Sequence, residues 1–460
     1  MRMFLMLMIM MMTSAFAMAQ ETYGIKIAGE DITGYNRYDL TEISGVSGTV
    51  YFDPNTRTLT LDNATIEADD YNAILNETCD YLLIELIGTN TIDVTGAAGI
   101  YLKEETTIWS NSGGKLTLTN DRCALLFEGC PLEINNCWLE VEGDWGISAN
   151  NNVAEEVLTI RNSHVEVKGP TGSICDIADL KLEGCYIDEP VNAAYDADVK
   201  SVALNGVTVT DKVVIKPDSY GIKIAGVDVT SLNSKDLSVI DGVDGKINYN
   251  SETKTLTMED VTINANVNGI NNEGVKDLKI EVVGNNAITS NTACIAISET
   301  SAISGSGTLS LKSNDNCGLY MYNSSLTVEG VKLYAEGDYG VAGVDGKSVE
   351  ILTLRNAYVE ATGSKGSICD LQNLVLDGCA ITQPTGAAFD ANVHGVALNG
   401  EVVTDKVVIE SATNGISDIT TDVPAHAKGI YSVTGVKQTQ QWNELPAGIY
   451  IVDGVKRVKK

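Results

Sequence analysis

The sequence predicts an all-β protein folded as a parallel β-solenoid, and three observations lead to this fold class. First, the chain repeats itself, because YGIKIAGEDIT at Tyr23 returns as YGIKIAGVDVT at Tyr220. Second, apolar runs recur inside each copy at intervals of roughly 22 to 27 residues. Third, each interval holds two alternating runs joined by a turn and then a third run, with almost no helical periodicity. Three short strands per interval are typical of stacked coils.

The repeat predicts two tandem modules, at residues 20–216 and 217–410. VALNGVTVTDKVVIK at Val202 returns as VALNGEVVTDKVVIE at Val396, with 12 of the 15 positions identical. Each module opens with a hairpin-like segment that caps the coils, although one continuous solenoid with an inserted hairpin is an alternative. The predicted coils start at Leu59, Leu82, Ile108, Leu132, Leu158, Leu180 and Val202, and at Leu256, Leu278, Ile303, Leu326, Leu352, Leu374 and Val396.

The turn between the first two runs has the same chemistry in most units. Its first residue is Asn, Asp or Gly, which tolerate positive φ, and the next residue is small. This pattern indicates a tight inward corner. The corner residues are Asn63, Asn136, Asn162 and Gly184 in the first copy and Asp260, Gly330, Asn356 and Gly378 in the second.

The coil length and this Asn/Gly-small-x-aliphatic corner resemble those of the pectate-lyase-like right-handed parallel β-helix superfamily, over about residues 59 to 410. In particular, the chain resembles exported bacterial β-helix proteins described as carbohydrate-binding or adhesin-like. The resemblance implies right-handed parallel coils over residues 59–216 and 256–410. It says little about activity, because one fold serves many functions.

Both ends of the chain indicate export. Residues 1–19 have one basic residue, an apolar run and an AMA end, which is typical of a cleaved signal peptide. After a Ser/Thr-rich linker at residues 411–427, the tail at residues 428–460 contains GIY, a polar gap, LPAGIYIV and a basic end. This tail resembles a type IX secretion sorting domain, which implies outer-membrane export machinery as a partner and an extracellular or outer-membrane surface location. A small β-meander that only caps the chain is the alternative.

Composition narrows the range of partners. The formal net charge is −31, which repels nucleic acid and anionic membrane surfaces, so no nucleic-acid partner is expected. Such acidity serves solubility, or it collects Ca²⁺ through carboxylate oxygens. The sequence leaves the need for Ca²⁺ open.

Ten cysteines in an exported protein raise the question of disulfides. The pairs that recur in both copies, ten residues apart, are Cys175 with Cys185 and Cys369 with Cys379. An intra-coil disulfide in each copy is one interpretation, and buried free thiols are the other. The sequence has no CxxC pair and no Cys/His cluster, which argues against zinc.

Catalytic motifs are weak, and no catalytic residue is predicted. None of the three histidines recurs in both copies, and the nucleophile elbow, phosphate loop and metalloprotease helix are absent from the sequence. The superfamily that the chain resembles includes polysaccharide lyases, in which a basic residue acts as the base. Arg161 and Arg355 are a matched pair for that role, but the next coil offers Glu183 and Asp377, which favours ion pairs along the ladder.

Strand alternation predicts a binding surface on the first copy. Counting outward from the corner places Trp138, His164 and Tyr186 in one column on successive coils about 4.8 Å apart. Aromatic faces beside carboxylates suit stacking on sugar rings and hydrogen bonds to hydroxyl groups, along a long polymer. Carboxylates at this spacing can also share a Ca²⁺ ion. The acidic column is Glu140, Glu166 and Asp188, and the second copy has Lys332, Tyr358 and Ala380 with Tyr334, Glu360 and Thr382.

The leading hypothesis is a secreted or cell-surface, non-catalytic protein that binds a polysaccharide or surface glycan. One rival is a polysaccharide lyase or glycoside hydrolase of the same fold, and another is a structural or protein-binding adhesin. Columns that only stabilise neighbouring strands are the alternative explanation of the surface. The identity of the glycan and the oligomeric state are left open.

Overall fold

The computed structural model describes residues 21–150, 153–347, 349–411, 429–433, 435–453 and 455–460. The predicted signal peptide and residues 412–427 of the predicted linker lie outside these ranges. The chain is all-β, with 59% strand and 2% helix, and contains a right-handed-type β-solenoid of about 13 turns. The predicted fold class is therefore confirmed. In the described ranges, no helix is long and apolar enough to span a membrane.

The coils follow from the alternation of apolar and polar residues. In the strand Lys115–Asn120, Leu116 and Leu118 are fully buried while the intervening residues reach the surface. Equivalent strands of consecutive coils pair in parallel, with Leu116 opposite Leu139. Because successive side chains of a strand point to opposite faces, stacking the coils in this register fills the interior with apolar side chains.

The strands of the first copy form three sheets. One contains the short third strand of each coil and is called the short-run sheet, one contains the first two strands of each coil and is called the bent sheet, and one is small and antiparallel. The short-run sheet consists of Thr22–Ile27, Glu30–Thr33, Ile74–Asn76, Ile100–Leu102, Cys123–Phe127, Trp145–Ala149 and Gly172–Cys175. The bent sheet consists of Val46–Asp53, Thr58–Asp69, Leu82–Ile87, Thr89–Thr95, Thr106–Trp109, Lys115–Asn120, Leu132–Asn135, Trp138–Glu142, Val157–Arg161, His164–Lys168, Asp179–Glu183, Cys185–Glu189 and Val213–Pro217. The small sheet consists of Ala194–Asp196, Ser201–Leu204 and Val207–Thr208.

In the second copy the same strands join into one large sheet beside a small one, and the tail has a sheet of its own. The large sheet consists of Ile222–Ile224, Val227–Asp228, Val243–Asn250, Thr255–Ala265, Ile270–Asn272, Leu278–Val283, Asn285–Ser290, Ile295–Ile297, Ser301–Gly305, Thr308–Ser313, Cys317–Met321, Leu326–Glu329, Lys332–Ala342, Ile351–Arg355, Tyr358–Cys369, Asn373–Asp377, Cys379–Gln383 and Val407–Ser411. The small sheet consists of Ala388–Asp390, Gly395–Leu398 and Glu401–Val402. The tail sheet consists of Ile430–Ser432, Lys437–Gln438, Gly448–Val452 and Val455–Lys459.

The predicted corners are confirmed. All eight predicted corner residues have positive φ, between 46° at Asn356 and 72° at Gly330. The residue after the corner points into the core, as Ala64, Cys137 and Ser163 show, each at most 2% exposed. At the corresponding positions of the second copy, Val261 and Val331 are also fully buried, so the corner accepts side chains up to the size of valine.

Each copy begins with the predicted hairpin-like segment. We call residues 22–53 the first lead and residues 219–250 the second lead. In each lead a short 3₁₀ turn, Leu40–Glu42 or Leu237–Val239, follows an aspartate that caps it. The cap is a hydrogen bond from the backbone N–H of Thr41 to Asp39, or of Ser238 to Asp236, at 3.0 Å in both cases.

The prediction that a last coil starts at Val202 and at Val396 is wrong. Ser201–Leu204 does not stack on the preceding coil but pairs antiparallel with Ala194–Asp196 and Val207–Thr208. The physical reason is an Asn-Gly hairpin turn, since Asn205 and Gly206 have φ of 53° and 77°.

After this hairpin the chain returns as Val213–Pro217, which lies antiparallel between His164–Lys168 and Cys185–Glu189. Ser173 fixes the return by donating from its backbone N–H to the Val209 carbonyl at 2.9 Å and from its hydroxyl to the Asp211 carbonyl at 2.6 Å. The second copy has the same reversal.

The two copies have separate apolar cores. One core runs from Ile25 to Ile215 and the other from Ile222 to Ile409. Within the described ranges, no strand of the first copy shares a sheet with a strand of the second. The division into two independent modules and the role of the tail stay predictions.

Candidate functional site

The structure brings Trp138 and His164 together as predicted. Their strands pair in parallel with Trp138 opposite His164 and Glu140 opposite Glu166. The two rings stack, with centroids 3.7 Å apart and an angle of 17° between their planes. Each ring therefore occupies one face of its neighbour, which is not available to a ligand.

Tyr186 does not lie on the next rung of this column, so that part of the prediction is wrong. The reversed strand Val213–Pro217 stands between the strand of His164 and the strand of Tyr186, and Lys216 lies opposite Tyr186. Tyr186 remains on the same surface and is 47% exposed. The aromatic column is thus a stacked pair, then Lys216, then Tyr186.

Each predicted carboxylate forms an ion pair with a lysine. Lys115 Nζ lies 2.6 Å from Glu140 Oε1, Lys212 Nζ lies 2.5 Å from Glu166 Oε2, and Lys216 Nζ lies 2.6 Å from Asp188 Oδ2. Two of the lysines come from the reversed strand and the loop before it. The described residues contain no group of three or more His, Cys, Asp or Glu side chains arranged to hold a metal ion.

The aromatic pair and the carboxylates also form hydrogen bonds. Trp138 Nε1 donates to Glu140 Oε1 at 3.0 Å, and His164 Nε2 lies 3.0 Å from Glu166 Oε1. Burial raises the pKa of Glu140, but the hydrogen bonds from Lys115 and Trp138 outweigh this and lower the pKa below its ordinary value. The hydrogen bond from Lys212 lowers the pKa of Glu166. Both carboxylates are therefore charged hydrogen-bond acceptors at neutral pH.

A cleft of about 660 Å³ opens over this surface, between the first copy and the second lead. We call it the junction cleft. Its floor includes all three predicted aromatic residues, and its opposite wall is formed by the second lead. The floor includes Trp138, His164, Tyr186 and Lys216, and the wall includes Val227, Asp228, Leu232, Val239 and Asp241.

Hydrogen bonds between the copies hold the second lead over the cleft. The hydroxyl of Ser231 donates to the backbone carbonyl of Asn162 at 3.1 Å. Lys235 Nζ donates to the backbone carbonyl of Asn111 at 2.8 Å and to the side-chain oxygen of the same residue at 3.1 Å. Sequence reasoning missed the wall of the cleft, because repeat periodicity carries no information about which surface a loop contacts.

The second copy has a different surface at the corresponding place. Lys332 lies opposite Tyr358 and Tyr334 opposite Glu360, and the two tyrosine rings tilt by 50° with centroids 5.6 Å apart. The hydroxyl of Tyr358 donates to Glu360 at 3.1 Å. Burial raises the pKa of Tyr358 to about 12, and the carboxylate of Glu360 adds to this effect. Ala380 and Glu410 take the places of Tyr186 and Lys216.

The candidate lyase bases are engaged in ion pairs, as the sequence favoured. Arg161 contacts Glu183 on the next coil, and its Nε lies 3.4 Å from Glu133 on the preceding coil. In the second copy, Arg355 Nε lies 3.0 Å from Asp377 Oδ2 and its guanidinium group also reaches Glu329. A hydrogen bond to Asp377 raises the pKa of Arg355, which keeps its proton.

All ten cysteines are free thiols, which agrees with the free-thiol interpretation and contradicts the intra-coil disulfides of Cys175 with Cys185 and Cys369 with Cys379. Cys175 and Cys185 lie on strands of different sheets, which explains why their recurrence at ten residues does not bring them together. Cys369 and Cys379 lie at the ends of two strands of the large sheet, Tyr358–Cys369 and Cys379–Gln383, and are likewise not bonded to each other. Cys137 fills a corner, where burial raises the pKa of its thiol to about 12.

Comparison with known proteins gives no relative for this chain, since no protein-family model, curated protein or solved structure matches it.

Proposed function

We propose that the protein is an exported, non-catalytic polysaccharide-binding protein and that the junction cleft is its main binding site. The observation that supports this most is the composition of the cleft, in which an exposed tyrosine lies beside charged groups from both copies. Tyr186 and Lys216 come from the first copy, and Asp228 and Asp241 come from the second lead. Concave sites with apolar walls and a few polar groups are typical of ligand sites.

Recognition of a sugar ring depends on two kinds of contact. The apolar face of the ring packs on an aromatic side chain, and its hydroxyl groups exchange hydrogen bonds with charged or polar groups. In the junction cleft, Tyr186 supplies the aromatic face, because Trp138 and His164 already stack on each other. Lys216 supplies donors, and Asp228 and Asp241 supply acceptors.

The shape of the cleft favours a short stretch of glycan. An open column of aromatic residues would fit a polymer that runs along the solenoid, but the second lead closes this surface from one side. A volume of about 660 Å³ also falls within the range of small-ligand sites. We therefore propose a few sugar residues, such as a chain end, as the bound unit.

The ionisable groups support binding without turnover. General acid catalysis of glycoside cleavage needs a carboxyl group with a raised pKa, whereas the pKa values of Glu140 and Glu166 are lowered. Arg161 and Arg355, the candidate lyase bases, are each paired with two acidic residues. Since each carboxylate of the predicted acidic column is paired with a lysine, the proposed binding does not use Ca²⁺.

The proposed location is the cell exterior or the outer-membrane surface. Its support comes from the sequence of residues 1–19 and from the sorting-domain-like tail at residues 428–460.

A glycan array probed with the full-length mature protein tests the proposal. Tyr186→Ala should weaken binding about fivefold, the equivalent of about 1 kcal/mol of stacking. Tyr81→Ala is the matched control, since Tyr81 is another exposed tyrosine of the first copy, at 57%, and lies outside the cleft. Binding should be the same with and without chelator, and the glycan should be recovered intact.

Three outcomes would contradict the proposal. Absence of binding to any glycan would favour a structural or protein-binding adhesin. Equal loss of binding in both tyrosine variants would exclude the junction cleft as the site. Release of an unsaturated product from a uronan would show a lyase.

A further inference from the structure

The junction between the two copies shows how a lead contacts a solenoid face. We call residues 33–39 the first tip and residues 230–236 the second tip. The second tip lies on the first copy, where Ser231 bonds to Asn162, Lys235 bonds to Asn111, and Leu232 faces the junction cleft. The carbonyl of Leu232 also approaches Gly113 so closely that a Cβ there would be 2.9 Å away.

The two tips have the same internal hydrogen bonds. In the first tip, the backbone N–H of Thr33 donates to Asn36 Oδ1 at 2.7 Å. In the second tip, the backbone N–H of Thr230 donates to Asn233 Oδ1 at 2.9 Å. A tip that is already ordered loses little conformational entropy on docking. The first tip therefore has the conformation that the second tip has when docked.

The first tip presents large side chains to solvent. Tyr35 is 85% exposed and Tyr38 is 69% exposed, at the positions that Leu232 and Lys235 occupy in the second tip. The guanidinium carbon of Arg37 lies 3.9 Å from the centre of the Tyr38 ring. Tyrosine and arginine side chains held in place on a rigid loop are the residues that supply most binding energy in protein interfaces.

The receiving face of the second copy differs from that of the first in a complementary way. Where the first copy has Tyr186 and Lys216, the second has Ala380 and Glu410. The first tip, conversely, has Tyr35 where the second has a leucine, and Arg37 where the second has a serine. A larger tip side chain is thus matched by a smaller side chain on the face, and the positive charge of Arg37 is matched by the negative charge of Glu410, on a face that also carries Lys332.

The loop that contacts Lys235 in the first copy is also smaller in the second copy. In the first copy this loop runs from residue 110 to 114, and in the second it runs from residue 305 to 307 and is shorter. The shorter loop lacks a counterpart of Asn111, and the first tip lacks a counterpart of Lys235, with the bulkier Tyr38 in its place.

We infer that the first tip of one chain docks on the second-copy face of another chain, at the place that corresponds to the contact between the second tip and the first copy but through different side chains. The partner is a second copy of this protein. The tip residues are Tyr35, Arg37 and Tyr38, and the face residues are Lys332, Tyr358, Ala380 and Glu410. Because the contact joins two different surfaces and leaves one of each free, it produces an open head-to-tail array.

Sedimentation velocity of the mature full-length protein over a range of concentrations tests this inference. The wild type should form dimers and longer species as concentration rises. Arg37→Glu and Glu410→Lys should each weaken association by roughly tenfold in Kd. The double variant R37E/E410K should recover most of the lost association, because it reverses both charges of the proposed pair. Tyr35→Ala should also weaken association, with Tyr81→Ala as the control.

Several outcomes would overturn the inference. One is a wild type that stays monomeric at all concentrations. Another is a wild type that associates while the two charge variants associate equally well. Failure of the double variant to recover association would exclude the proposed pairing. Circular dichroism is used to check that each variant is folded. The rescue is a further control, because R37E/E410K contains the same two substitutions as the single variants. Tip variants that reduce glycan binding while sedimentation is unchanged would assign the tip to a glycan.

Discussion

Replacing Asn76 with alanine should destabilise the first core by about 2 to 6 kcal/mol. Asn76 is fully buried at the end of a short strand. Its side-chain oxygen accepts from the backbone N–H of Cys79 at 2.9 Å, and its side-chain nitrogen donates to the Cys79 carbonyl at 2.9 Å and to Thr106 Oγ1 at 3.1 Å. Alanine would leave one backbone N–H and one carbonyl buried without partners, at a cost of about 1 to 3 kcal/mol each.

Urea unfolding followed by circular dichroism measures the loss. The chain contains its own replicate, because Asn272 makes the same three contacts with Val275 and Ser301 at matching distances. Asn272→Ala should therefore destabilise the second core by a similar amount. Asn291→Ala is the control, since Asn291 is exposed and its side chain bonds to that of Asn266, and it should change stability by less than about 0.5 kcal/mol. A cost below about 1 kcal/mol for Asn76→Ala would refute the reasoning.

Two further predictions concern the cleft floor and the corners. Burial lowers the pKa of His164 from its ordinary value of 6.5, and the hydrogen bond to Glu166 only partly offsets this. The unfolded chain then binds the proton more readily, so stability should fall as pH drops below about 6.5, and His164→Phe should remove that slope in urea unfolding at several pH values. Cys137→Ala should cost about 1 to 2 kcal/mol as a modest core truncation. Cys185→Ala should lower the urea midpoint by the same amount relative to the wild type with and without reductant, and a loss seen only without reductant would indicate a disulfide in the wild type.

The corners could be predicted from the sequence because their chemistry is local. Asn136 and Asn162 need only their own backbone conformation to mark a turn, and the small residue after each needs only the period of the strand. The facing of Trp138 and His164 follows from the same period, since both lie at the same distance from the corner. For these features, local propensity and overall fold agree.

The reversal at the end of each copy was also encoded locally, in a signal that the repeat obscured. Asn205-Gly206 between two apolar runs is a hairpin signal, and Asn399-Gly400 repeats it. The coil interval gave these runs the appearance of one more coil. Turn chemistry at a two-residue scale was the stronger determinant.

The junction cleft could not be predicted from the sequence. Ser231 bonds to Asn162, which lies far away along the chain, and neither residue belongs to a pattern that marks a contact. Which face a loop contacts depends on the shape and polarity of two complete surfaces. Comparison of the two copies shows how their faces differ only once the contact is known. Tyr186 of the first copy corresponds to Ala380 of the second, and Leu232 of the second tip corresponds to Tyr35 of the first tip.

The reversed strand at the end of each copy acts as a stop on growth. Val213–Pro217 and Val407–Ser411 run against the coils on which they lie. Antiparallel strands pair with alternating close and wide hydrogen bonds, whereas a further coil would need the even spacing of a parallel neighbour. Open strand edges invite pairing with other chains, and in the first copy the reversed strand pairs with both His164–Lys168 and Cys185–Glu189, so that Cys185–Glu189 is the end strand of the sheet. The length of each stack of coils is thus set by a strand direction, and lengthening a copy by one coil would require insertion before this strand.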